Sequence, residues 1–321
     1  MMKICDLKVG QKVTLDLVVA GASIRQTKGK PPRDFLSVDL SDGNDTLDGK
    51  IWNYDASNGV PENGKVYTAT GVIGEYQGKK QITLEGFRLS LDQDVRRFLP
   101  QFVEDIDKVY NNMLMAIGSI KHENMRKLCE YIYKKHIMDI KRSSSARGVH
   151  HVGMGGNLAH TCEVTCFAEQ IAYAARVLGY EVNTDLCIAG AALHDIGKIF
   201  TYDYDGAAVC MTPAGMMLEH HILGIEMVDA AINELFPDQM HEKWVYALKH
   251  IIASHHGELE FGSPVVPLFN EAYIVNAADK LSSTVAMVKQ ANDKAIQEGK
   301  DMTDRIFQLH NRPHFLQKEL I

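Results

Sequence analysis

The sequence predicts an α+β protein of two parts, a small all-β domain at the N-terminus followed by an all-α domain. Three observations carry this. Five β-rich runs, separated by turn-forming clusters, fill residues 1 to about 90. From LDQDVRRFLPQF onward the apolar spacing becomes helical and stays so to the end. The 321 residues are enough for about two domains.

The β-rich runs are VTLDLVVAGASI, DFLSVDLSDG, TLDGKIWNY, KVYTATGVIGEY and KQITLEGFRL, punctuated by SDGND, NGVPENGK and YQGKK. Five strands in so short a span suit a small closed β domain, for which an OB-fold-like barrel is the commonest architecture. The composition shift near residues 90–100 marks the boundary. Residues 101–139 read as two helices, and KRSSSARGVHHVGMGG as a polar, Gly-rich loop. Asn157 reads as the N-cap of a helix that Gly179 stops. Further helices are expected at about 185–195, 214–235, 241–255 and 270–297, and one more at 303–310. The expected division is 1–90 for the barrel, 91–140 for a helical linker region, 141–300 for the helical domain and 301–321 for a tail.

Hydrophobic residues make up 45% and charged residues 23%, the balance of a soluble globular chain. No apolar run approaches the roughly 20 residues needed to span a bilayer, and MMKICDLKVG has no apolar core of a signal peptide. The six cysteines form no CxxC pair and read as reduced thiols, so the expected location is the cytoplasm, away from membranes. Cys162 and Cys166 stand four apart on a helix; small buried residues are the reading set against a shared metal. A net charge of -7 argues against a surface coated for phosphate binding. Of 14 histidines, 10 fall between His150 and His256, and that clustering points toward a metal site.

The chemistry starts at AALHDIGKIF, an apolar run that ends in His194, Asp195 and Lys198. Burying an imidazole and a carboxylate there is unfavourable unless each has a strong partner. His160 falls on the apolar stripe of its helix with Val164, Ile171, Ala175 and Leu178. Asp279 falls on the stripe of EAYIVNAADKLSSTVAMV with Ala272, Val275, Ser282 and Ala286. A lone inward histidine is usually a satisfied core residue; two with two aspartates ask for a shared divalent cation. LEHHILG adds His220 and His221, and SHHGELEFGSP adds His255 and His256. So many ligands suit two metals better than one, with Asp195 placed to bridge them.

The order H…HD…D resembles the HD-domain superfamily of metal-dependent phosphohydrolases. GNLAHTCEV, ALHDIGKIFTY, HHILG, SHHGELEFGSP and NAADKLSS behind an OB-like domain, with RIFQLHNRPHF at the end, resemble the YhaM-type 3′-to-5′ exoribonucleases along essentially the whole chain. The resemblance implies an OB-fold-like barrel followed by an all-α HD-domain helical bundle. It matches His160, His194, Asp195 and Asp279 to the ligands of a first metal. His221, rather than His220, matches the next ligand, with His255 and His256 beside a second metal. Asp195 would bridge, and Lys198 would offset charge developing on the phosphoryl oxygens. His150 and His151 match a doublet at the rim of the site. Two departures separate this chain from cyclic-dinucleotide phosphodiesterases of the superfamily. GSP at Gly262–Pro264 stands where they carry GYP, and Gly156 stands where some place a glutamate.

Ligands of nitrogen and oxygen without thiolate favour Mn²⁺, Fe²⁺ or Co²⁺, and Mn²⁺ is expected first. The expected substrate is single-stranded RNA or DNA, with no membrane partner. IRQTKGKPPRDF carries Arg25, Lys28, Lys30 and Arg33 within nine residues, in a barrel segment holding 12 basic and 11 acidic residues over 1–90. OB-folds hold single strands with such a groove and stacking aromatics. Trp52 and Tyr54, at the same strand parity, are candidates with Phe35 and Tyr76; core packing is the alternative, favoured for Phe35. A solvated turn is the alternative for the basic loop, and a plain linker for Lys141, Arg142 and Arg147. Two further functions remain open from sequence: hydrolysis of a small nucleotide, and single-strand binding around a structural metal site.

Overall fold

A computed structural model of the chain describes residues 2–43, 45–98, 102–103, 105–146, 151–205, 208–239 and 241–316. The chain divides into two compact units, residues 1–101 with 204–209, and residues 102–203 with 210–321.

The first unit is a closed five-stranded barrel of β1 (Lys12–Gln26), β2 (Asp34–Ser41), β3 (Thr46–Trp52), β4 (Val66–Tyr76) and β5 (Lys79–Leu89). The strand order is β1-β2-β3-β5-β4, with β3 and β5 parallel and the other pairs antiparallel. Alternation sets which face is inside: Val13, Leu15, Leu17 and Val19 point inward with Val38, Leu40, Leu47, Ile73 and Ile82. The long β1 pairs with β4 along its first half and with β2 along its second. The two stretches meet at Val18, and a bulge between Val19 and Gly21, just inside the β2-paired stretch, supplies the bend that closure requires. This is the OB-fold-like barrel expected from the strand count.

The second unit is helical: α1 (Ile106–Gly118), α2 (Glu123–Lys135), α3 (Ile137–Arg142), α4 (Gly156–Val177), α5 (Thr184–Leu193) and α6 (Lys198–Thr201). In chain order a hairpin of β6 (Tyr202–Asp205) and β7 (Ala208–Met211) follows, its residues 204–209 counted with the first unit, then α7 (Pro213–Leu235), α8 (Lys243–Ser254) and α9 (Asn270–Gln297). α5 is the centre. Every residue from Leu186 to Leu193 is buried, and α2, α4, α8 and α9 pack around it. A helix that is apolar all round belongs inside, and its last turn delivers His194 to the middle of the unit. Asn183 caps α5 through the Leu186 N–H, and Thr212 caps α7 ahead of Pro213. Among the described residues no helix is long and apolar enough to cross a membrane.

Several expectations are corrected. In the stretch 101–139, read as two helices, the described residues from 106 on belong to three, because His136 breaks the run before α3. The helix containing His160 is capped by Gly155, not Asn157, which lies inside it and donates from Nδ2 to the Asp195 carbonyl at 3.3 Å. Residues 303–310 form no helix. Bridges of Met302 with Phe315 and Ile306 with Arg312 fold that segment back on itself. The β6–β7 hairpin interrupts a stretch read as wholly helical; the alternating YDYD before Gly206 was its signal.

Candidate metal centre

Five elements of the helical unit converge on one point. α4 contributes His160, the end of α5 His194, and the turn after it Asp195, with Lys198 following at the start of the short α6. α7 contributes His220 and His221, the end of α8 His255 and His256, and α9 Asp279. His160, His194, Asp195 and His255 are at most 1% exposed. Asp195 sits at the junction. Its Oδ2 lies 3.3 Å from Nε2 of His194, 3.5 Å from Nε2 of His160 and 2.7 Å from Nζ of Lys198. Its Oδ1 lies 3.5 Å from Nε2 of both His220 and His255. His160 Nε2 also meets Asp279 Oδ1 at 3.0 Å. Three overlapping groups have ligand atoms within 4.8 Å of one another: His160, His194 and Asp279; His194, Asp195 and His255; and His220, His221, His255 and His256.

The imidazoles are oriented alike. Nδ1 of His194 lies 2.7 Å from the Ala191 carbonyl, Nδ1 of His255 2.9 Å from that of Ile252, and Nδ1 of His256 2.9 Å from that of Phe261. A carbonyl can only accept, so Nδ1 carries the proton and Nε2 keeps its lone pair. His160 Nδ1 is 3.0 Å from Ser282 Oγ, which donates onward to Glu163 at 2.7 Å. Imidazoles pinned through Nδ1 with Nε2 facing inward are built as metal ligands are. His194 Nε2, His221 Nε2 and Asp195 Oδ1 are buried without a well-formed hydrogen bond among the described residues. Such atoms are unfavourable unless a cation takes their lone pairs. The residues present therefore fit divalent metal binding.

Electrostatics agree with this donor role. Burial holds His160, His220, His221 and His255 below the ordinary imidazole value, His221 and His255 at about 3, so all four are neutral at pH 7. Burial also opposes ionisation of Asp195, but the charges of Lys198 and His194 override it and hold the carboxyl far below the usual range. Asp279 is lowered likewise, the raising effect of burial being outweighed chiefly by the His160 hydrogen bond and charge. His194 moves the other way: burial lowers it, yet the nearby Asp195 charge leaves it raised. These shifts set a pH dependence. The four depressed histidines are neutral when folded but take up protons near pH 6.5 when unfolded. Their contribution is present above that pH and is lost as pH falls from about 6.5 toward 3. His194 acts oppositely, contributing below its raised pKa, and is outnumbered. The melting temperature of chelator-treated protein should therefore fall steadily from pH 7 to pH 4.5; a flat or rising profile in thermal unfolding would contradict the assignment.

The centre opens into a cavity of about 740 Å³ lined by His160, Lys198, His220, His256 and Asp279, with Phe261, Tyr273 and Lys280 farther out. Phe261 and Tyr273 are more than half exposed. Lys280 forms no ion pair among the described residues, whereas Lys198 is already engaged by Asp195.

The remaining site expectations divide. His220 had been passed over for His221, but the structure brings both into the cluster, and it is His220 that approaches Asp195. The helical backbone of α7 is broken at Glu219 (φ 57°, ψ 164°), so a new helical stretch starts at His220 and both neighbours turn inward. His151 is not at a rim: it is buried, its Nε2 3.2 Å from Glu163. His150 and Arg147 lie outside the described residues. Lys141 pairs with Asp107 and Arg142 with Asp203, so both serve the helical framework. Cys162 and Cys166 belong to none of the metal-capable groups among the described residues. In the barrel, Lys28, Lys30 and Arg33 are exposed in the β1–β2 loop, while Arg25 stands on β1 itself. Arg25 pairs across to Phe35 and Phe35 to Trp52, giving one row of a cation and two aromatics over three strands. The Phe35 and Trp52 rings are 4.9 Å apart and Trp52 is 47% exposed. Tyr54 does not share that face. β3 ends at Trp52, Asn53 turns the chain with φ 56°, and the Tyr54 hydroxyl donates to Gly59.

The HD domain family matches residues 157–284. A solved domain of replication protein A from Methanococcus maripaludis overlays 27% of this chain and 92% of its own, at 19% identity and a TM-score of 0.24. A protein of Listeria welshimeri named 3′-5′ exoribonuclease YhaM is 29% identical over 323 residues, 98% of this chain and 97% of its own. Its counterpart of the same name in Oceanobacillus iheyensis is 30% identical over 304 residues, 91% of each chain. With that relation along nearly its whole length and the HD centre assembled in its second unit, the chain belongs to the YhaM family of 3′-5′ exoribonucleases.

Proposed function

We propose that this chain removes nucleotides from the 3′ end of single-stranded RNA, hydrolysing each phosphodiester to a 5′-monophosphate with two divalent cations, Mn²⁺ first among Mn²⁺, Fe²⁺ and Co²⁺. The observation that carries the reading is Asp195, whose two oxygens face two different histidine groups. His160, His194 and Asp279 would hold one ion, and His220, His221, His255 and His256 would surround the other. Bound divalent cations supply Lewis acidity and an acidified water for in-line attack at phosphorus.

The chain's own residues supply the rest. Nδ1 contacts to backbone carbonyls fix the imidazoles before substrate arrives, so little reorganisation is needed at the moment of reaction. Lys280 offers an unengaged charge to a phosphate in the cavity, and Phe261 and Tyr273 offer aromatic faces to a base. Lys198, held against Asp195, keeps the buried carboxylate charge-compensated. Barrel residues Arg25, Lys28, Lys30 and Arg33, with Trp52 beside Phe35, would bind the strand through phosphate charge and stacking.

The test is a 5′-labelled single-stranded RNA incubated with Mn²⁺ and resolved over time on a sequencing gel. A ladder shortening from the 3′ end, stopped by chelator, with nucleoside 5′-monophosphates released, is expected. Intact RNA, or cuts scattered internally, would overturn the reading. A companion DNA strand reports the sugar preference. Replacing Lys28, Lys30 and Arg33 together by alanine should weaken RNA binding about tenfold or more at low salt. It should also reduce the slope of log affinity against log salt by about 2, at roughly 0.7 per phosphate contact on single strands. An unchanged slope would remove this loop from the substrate path.

A further inference from the structure

The segment RIFQLHNRPHF takes no part in the metal centre, yet it is firmly built. After α9 the chain folds back: the Thr303 N–H donates to His314, Lys294 and Lys300 both pair with Asp304, and Leu316 is buried beside Val285 and Val288 of α9. Chain ends are usually loose unless tied down. Here the ties leave the polar and aromatic side chains pointing outward: Phe307 is 79% exposed, and Arg305 is exposed with no ion pair among the described residues.

These residues form one wall of a groove, and α9 forms the other. Met287, Gln290, Ala291 and Lys294 line it with Asp304, Arg305, Phe307 and Gln308, the Asp304 carboxylate being compensated by Lys294 and Lys300. Met287 and Gln308 also line the cavity over the metal centre, so groove and cavity adjoin. One stripe of α9 runs the whole way. Asp279, Ser283, Met287, Gln290 and Lys294 recur at helical spacing, from a metal-ligand position to the far end of the groove. Fifteen helical steps from Asp279 to Lys294 at about 1.5 Å each make that path about 22 Å long, enough for up to about six stacked nucleotides at about 3.4 Å each.

We infer that this groove carries the RNA strand on the 5′ side of the nucleotide being removed, with Phe307 stacking a base and Arg305 meeting a phosphate. The inference rests on the exoribonuclease reading and gives the C-terminal segment a substrate-binding role. An exposed phenylalanine beside an unengaged arginine, in a groove that adjoins the cavity over the metal centre, matches how single strands are held without sequence preference.

The experiment compares kcat/KM on a dinucleotide and on an RNA of about ten nucleotides, for the wild-type protein and for Phe307→Ala, Arg305→Ala and the double variant. If the groove holds the upstream strand, wild type favours the longer RNA. The ratio of longer to shorter should then fall about tenfold in Phe307→Ala, from the loss of one base stack. It should fall further in the double variant. A ratio equal to wild type in all three variants, or a wild type with no length preference, overturns the inference. A wild type that shortens neither RNA overturns the exoribonuclease reading itself. Because a general loss of folded enzyme lowers both rates together, the ratio separates strand binding from a structural role.

Discussion

Asp195→Asn should abolish RNA hydrolysis and lower divalent-metal affinity by at least about 100-fold, more than loss of an outer-shell partner typically does. The substitution keeps shape and removes one negative charge from the point where the ligand groups meet. Oδ1 faces His220 and His255, and Oδ2 faces His160 and His194, so both sides of the centre lose their shared anion at once. A second consequence follows from Lys198. Its ammonium is nearly buried and rests 2.7 Å from Asp195 Oδ2. Without that carboxylate the ammonium is an uncompensated buried charge, and breaking such a pair costs about 3–5 kcal/mol. The metal-free variant should therefore melt lower than metal-free wild type while keeping its helical circular dichroism. Adding Lys198→Met should recover much of that melting temperature without recovering activity. Metal content by mass spectrometry, melting curves and the RNA gel together decide the matter. A variant that binds metal at wild-type affinity and still degrades RNA would remove Asp195 from the centre.

What the sequence disclosed and what it hid follow physical lines. Barrel strands were legible because alternation with a period of two is imposed by the core face of β1 and its neighbours. His160 and Asp279 were legible because a polar group on an apolar stripe must be accounted for. The inner shell is close to a sum of such local patterns. Residues that act through the backbone or across long separations were not legible. Asn157 reads as a cap by type, but its amide is used on the Asp195 carbonyl, 38 residues away. Glu163 looks like a helix-surface charge, yet it accepts a hydrogen bond from Ser282 and lies 3.2 Å from Nε2 of His151 behind His160. Spacing to Gly224 selects His221, which the structure does place with His255 and His256, but it does not reveal that His220 joins the same group. The break at Glu219 turns His220 toward Asp195. Tyr54 was placed with Trp52 by parity, which holds only while a strand continues, and Asn53 ends it.

Gly197→Ala should be nearly as damaging as loss of Asp195, although residue 197 carries no ligand atom. A Cβ built there would lie 2.0 Å from the His220 carbonyl oxygen and 2.6 Å from the Gly224 nitrogen. Both are backbone atoms, so no rotamer change relieves the clash, and α7 as a whole must withdraw from the turn that follows α5. That withdrawal carries His220 and His221 away from Asp195, where His220 now stands at 3.5 Å. Overpacking of this kind costs about 1–3 kcal/mol and sometimes more; contact with rigid backbone places this case at the upper end. Gly224→Ala is the natural comparison, because it faces the same contact from the other side. Its Cβ would come no closer than 3.3 Å to Gly197 and 3.4 Å to Ile252, and alanine is the better helix former by about 1 kcal/mol. Gly224→Ala should therefore remain close to wild type in melting temperature and in its stabilisation by Mn²⁺. Gly197→Ala should melt several degrees lower and lose most of that Mn²⁺ stabilisation. If the two variants behave alike, the close approach of the Asp195 turn to α7 does not position the histidines. The metal groups would then have to be assembled from α4, α5, α8 and α9 alone.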